Sequence, residues 1–101
     1  MGTRDQLSQI LRVLLGSGNV YFQPPPTVKM KYPAIVYEKN TDYVRPADNG
    51  VYSRMWKYTI MIIDENPDTV LPDKMAELPY TKLNRAYTFQ GLNHYVFNTY
   101  F

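Results

Sequence analysis

The sequence predicts an α+β domain: a mostly antiparallel sheet of about four to five strands, with an N-terminal helix and a short second helix packed on it. Three observations lead there. Apolar residues recur at helical spacing near the start, where Leu7, Ile10, Leu11, Leu14 and Leu15 share one face. Alternating runs of aromatic and β-branched residues follow from position 20 onward. Turn signals then separate those runs by hairpin-type connections, so the order reads α-β-β-β-α-β-β.

The first helix covers about residues 3–15. Thr3 with Gln6 three positions later is a capping-box pattern, and Gly16, Gly18 and Asn19 tolerate the left-handed backbone of a helix end. The run Val20-Tyr21-Phe22-Gln23 is β-prone and stops at Pro24-Pro25-Pro26, which lack ladder donors and mark an edge or a stiff connector. A second strand is expected over 32–38, with Pro33 tolerable near its start. Residues 39–52 are polar and carry the turn signal Asp48-Asn49-Gly50, so they predict a projecting loop or a long hairpin arm.

The third strand is expected over 51–64. Tyr52, Arg54, Trp56, Tyr58, Ile60 and Ile62 fall on one face, and its last third is apolar on both faces, as a central strand requires. The turn 64–68 precedes a short helix, with Asp68 as its expected cap, Pro72 in its first turn and Pro79 as its stop. Residues 80–101 predict two strands around Gln90-Gly91. In the last strand Tyr95, Phe97, Thr99 and Phe101 share one face, and the Tyr100-Phe101 ending implies a docked terminus.

The chain of 101 residues fits one domain, here 1–101, and its charge is nearly balanced, eleven Lys+Arg against nine Asp+Glu for a net +2. It has no Cys and a single His, which removes disulfide scaffolds, thiolate metal sites and a histidine pair. No segment has the length and apolarity of a membrane span, and a soluble product is expected. Asp64, Glu65 and Asp68 fit a solvated turn, and His94 fits a structural histidine. No catalytic, cofactor or metal residue is assigned, and a non-enzymatic protein is expected.

Ten Tyr, four Phe and one Trp exceed what a core of this size encloses. The surplus points to interfaces, where aromatic residues are enriched. The candidate interface residues are Tyr43, Arg45, Asp48, Tyr52, Arg54, Tyr95, Phe97, Tyr100 and Phe101. Main-chain pairing to a neighbour is expected at an exposed edge, either 20–23 or the terminal strand. The alternative is a small nucleic-acid-binding module that stacks bases on the Trp56/Tyr58 face, where Arg54 and Lys57 add charge.

Several segments resemble one family. Thr3-Arg4-Asp5-Gln6-Leu7, the run from Val28 to Glu38, Tyr58-Thr59-Ile60-Met61-Ile62-Ile63-Asp64 with Asn66-Pro67-Asp68, and the close Asn93-His94-Tyr95-Val96-Phe97-Asn98-Thr99-Tyr100-Phe101 are similar to tail-completion proteins of long-tailed bacteriophages. These are also called tail-terminator or head–tail joining proteins. The resemblance implies a structural virion protein at the head–tail junction, made in the host cytoplasm, without cofactor or membrane. It implies a homo-oligomeric ring, often hexameric, that ends the tail tube and meets both the tail tube protein and the head-completion or connector proteins. Genomic DNA passes through the lumen without sequence-specific binding. Tyr95 stands where many members carry an acid.

Overall fold

The computed structural model describes residues 3–25, 27–44 and 55–101, with the backbone alone at 41–44 and 55. The first helix, α1 (Arg4–Leu15), is closed at its start by the capping box. The Thr3 N–H donates to Gln6 Oε1 at 2.9 Å, and the Gln6 N–H donates to Thr3 Oγ1 at 3.2 Å. At its end Gly16 takes φ +82° and its N–H reaches the Arg12 carbonyl at 2.8 Å. Leu7, Ser8 and Leu11 form the buried face.

The strands are β1 (Val20–Phe22), β2 (Ala34–Val44), β3 (Met55–Asp64), β4 (Thr81–Phe89) and β5 (Leu92–Tyr100), and a second helix, α2 (Leu71–Ala76), lies between β3 and β4. The α+β class is as the periodicities predict. The sheet order is β1-β2-β3-β5-β4. All pairings are antiparallel except β1 with β2, which run parallel. That corrects the hairpin-type connection expected there: the segment 23–33 carries the chain back to the start of a strand alongside the first. The β2 strand also begins at Ala34, after a cis Tyr32–Pro33 bond, and continues to Val44 rather than ending at Glu38.

The register sorts side chains into rows across the sheet. Ile35, Ile62, Tyr95 and Ala86 form one row, and Tyr37, Ile60, Phe97 and Leu83 form the next. Opposed residues share a face, and on this face Leu7 and Leu11 of α1 and Leu71 and Met75 of α2 pack with Ile35, Tyr37, Tyr58, Ile60, Ile62 and Phe97 into the core. The opposite face carries the rows Ala34–Ile63–His94–Tyr87 and Val36–Met61–Val96–Arg85. Ala34, Ile63, Val96 and His94 are buried there too. Burial on both sides explains why Ile60-Met61-Ile62-Ile63 lacks the alternation of a half-exposed strand.

The start of α2 differs from expectation. Its cap is Val70, without a side-chain bond, and not Asp68. The turn closes on itself instead: Asp64 Oδ1 accepts from the Asn66 N–H at 3.0 Å, and Asn66 Oδ1 accepts from the Asp68 N–H at 2.9 Å. These two Asx-type contacts place Asp68 inside the turn, too early to reach the helix amides. Pro72 does sit in the first turn. Among the described residues no helix is long and apolar enough to cross a membrane.

Candidate functional site

The sheet has two edges, the short β1, as expected for 20–23, and β4, which is the most exposed element of the fold. Every residue of β4 after Thr81 is exposed, although its inner side is laddered along β5. Leu83 is 53% exposed on the helix side of the sheet. On the other side Phe89 is 59% exposed. Tyr80, just before the strand, is exposed as well. Large exposed apolar side chains along an unpaired edge are what proteins avoid unless another chain covers them.

A register shift between Leu83 and Arg85 interrupts the β4–β5 ladder. It leaves Asn84 as the extra residue of a bulge, and it alters which side chains share a face. Lys82 stands opposite Asn98 and Arg85 opposite Val96, two residues apart on β5, so both cations face away from the helices. Beyond them Tyr87 lies flat on His94, with ring centroids 4.7 Å apart and planes 5° from parallel. The Arg85 guanidinium sits 5.3 Å from the centre of the Tyr87 ring. His94 Nδ1 donates to the Leu92 carbonyl at 3.0 Å, because a carbonyl only accepts, and this fixes the ring against β5.

A second feature is an apolar groove of about 860 Å³ between α1 and α2, lined by Ile10, Val13, Leu14, Leu78 and Phe101 with Gln9 and Glu77 at its rim. Among the described residues no group of three or more His, Asp or Glu side chains converges as a metal site would. The Ser8 hydroxyl is bonded to the Tyr37 hydroxyl in the core.

The expected interface residues fall in different places. Arg45, Asp48, Tyr52 and Arg54 lie outside the described residues, and of Tyr43 only the backbone is described, paired with Trp56. The β2–β3 ladder continues to Val44 and Met55, and the rest of the expected arm at 39–52 lies outside the described residues. Tyr95 and Phe101 are half-buried against the core, and Tyr100 is half-buried opposite Lys57 on the face away from the helices. Phe97 is 1% exposed, which corrects its assignment to an interface. The reason is topological: β5 is flanked by β3 and β4, so the terminal strand is interior and not the edge.

Of the two rings expected to form a stacking surface, Trp56 and Tyr58, the second is corrected in the same way. Tyr58 is 1% exposed beneath the helices and offers no ring face to a base. Trp56 is partly buried against the core, with the Lys39 ammonium 4.0 Å from its ring centre. Burial raises the Tyr58 pKa above the ordinary phenol value, with Tyr37 adding to the rise and Arg4 opposing it.

Lys82, Leu83, Arg85, Tyr87 and Phe89 did not stand out in the sequence. One signal did precede the fold: residues 81–101 contain no Asp or Glu at all. The chain matches no protein-family model, no curated protein and no solved structure.

Proposed function

We propose that the protein is a structural subunit that acts by assembly, forming a ring at the head–tail junction of a long-tailed bacteriophage. There it ends the tail tube, joins it to the head connector and lets DNA pass. The observation that carries this reading is β4, an edge strand with unpaired main-chain groups and exposed Leu83, Tyr87 and Phe89. Such an edge is a template for pairing with another chain. A ring subunit has unlike surfaces for its neighbours, for the tube and for the connector, and the apolar groove between α1 and α2 supplies a second, different patch. The net charge of +2 suits a conduit that releases the DNA passing through it.

Native mass spectrometry and negative-stain electron microscopy of the purified protein, alone and mixed with tail tubes, test the reading. The expected result is a closed ring, hexameric by the family resemblance, that caps tube ends. A protein that stays monomeric under both conditions and leaves tube length unchanged overturns it.

A further inference from the structure

The bulge in β4 sets the chemistry of its edge. Lys82 and Arg85 are three residues apart, a spacing that places two side chains on opposite faces of a regular strand. The extra residue Asn84 brings both cations to the face away from the helices. Among the described residues neither is neutralised there. Among the described residues the ion pair is Arg4 with Asp5, and neither Lys82 nor Arg85 takes part. Glu38 shares the row of Lys82, but Thr59 and Asn98 lie between them. At the usual strand spacing that separation is roughly 14 Å.

We propose that the outer edge of β4 receives an extended acidic segment of a partner protein as a sixth strand of the sheet. This rests on the reading of β4 as an assembly edge and names the chemistry of what docks on it. The free main-chain groups of β4 hold the incoming backbone. Acidic side chains at alternate positions meet Lys82 and Arg85, while the intervening apolar side chains cover Leu83 on the helix side.

Charge decides against the simplest other occupant. A second copy paired β4 to β4 brings two Lys82 and two Arg85 together on one face with no acid among residues 81–101 to offset them. A single-stranded nucleic acid fits less well. Tyr87 has His94 stacked on its ring and Arg85 over it, which leaves Phe89 as the free ring of the strand. The unpaired amides of the edge match a peptide backbone and not a base.

The test uses the full chain and a fluorescent peptide of about ten residues in which Glu and Val alternate, with a Lys–Val peptide as control. Anisotropy is expected to show saturable binding of the acidic peptide only, weakened at high salt and about tenfold weaker for the Lys82→Glu/Arg85→Glu variant. Amide NMR shifts of the wild-type protein should fall on β4, a readout that does not depend on how well the variant folds. Absence of saturable binding, equal binding of the lysine peptide or shifts away from β4 would each overturn the proposal. So would self-association through β4, or a single-stranded oligonucleotide that binds more tightly than the peptide. A ring that forms and caps tubes while the peptide fails to bind removes this inference alone. Peptide binding by a protein that never forms a ring removes the ring instead.

Discussion

Ser8 on α1 and Tyr37 on β2 join their hydroxyls inside the core, across 29 positions of sequence. The contact ties the first helix to the sheet at a point where both residues are buried. Removing one hydroxyl strands the other, and a buried unsatisfied hydroxyl costs about 1–3 kcal/mol. Ser8→Ala should therefore destabilise the fold by that amount in urea titrations. The Ser8→Ala/Tyr37→Phe pair should lose clearly less than the sum of the two single variants, because neither hydroxyl then lacks a partner. Strict additivity would show that the two groups are not coupled.

Tyr58 packs beside Tyr37, ring centroids 6.2 Å apart, and its pKa is raised first by burial and then by Tyr37. The unfolded chain releases this proton near pH 10, whereas the native state holds it to higher pH. The native state then binds more protons than the unfolded state, so stability falls as pH rises above about 10. Thermal melts across the alkaline range should show this decline, and Tyr58→Phe should flatten it. An unchanged alkaline decline in Tyr58→Phe would assign the effect to other groups.

Two phenylalanines of the same hairpin should respond differently to truncation. Phe97 is buried between β3 and β4, and Phe97→Ala is expected to cost about 3–5 kcal/mol. Phe89 is exposed on the edge, and Phe89→Ala should stay within about 0.5 kcal/mol for the isolated chain. Denaturant midpoints give both values. Comparable losses at the two positions would mean that Phe89 is enclosed in the free protein.

The β4–β5 turn carries Gln90 at φ 53° and Gly91 at φ 78°. Both central residues are left-handed, as in the tight hairpin turns that favour Asn-Gly. Gln is a poor fit at such a φ, and Gln90→Asn should stabilise the protein by up to about 1 kcal/mol. Gly91→Ala should destabilise it by a similar amount. Beyond the residue and its two chain neighbours no atom lies within 4 Å of the added methyl group, so the cost there is backbone strain. A neutral result for both changes would place the turn's energetics elsewhere.

Features set by neighbouring residues were legible in the sequence. The α1 cap is a contact between Thr3 and Gln6, and its end is a glycine conformation at Gly16. The faces of β3 and β5 follow from alternation, and Phe101 is paired in the sheet: it exchanges backbone hydrogen bonds of 3.0 and 3.1 Å with Trp56. Where two local patterns competed, spacing alone failed. Asp68 has the right residue type and position for a helix cap, but its N–H is drawn to Asn66 Oδ1 and the helix starts later.

Strand order was not legible, and the site depends on it. By composition the terminal strand and β4 are both aromatic hairpin arms. Inserting β5 between β3 and β4 buries Phe97 and leaves Leu83 and Phe89 outside. The class of the fold, its caps and the alternation of its strands arise from contacts within a few residues, which a single sequence records directly. Which strand forms the edge, and which cations share its face, depend on long-range pairing and on one extra residue in a ladder. Only the packed sheet decides those.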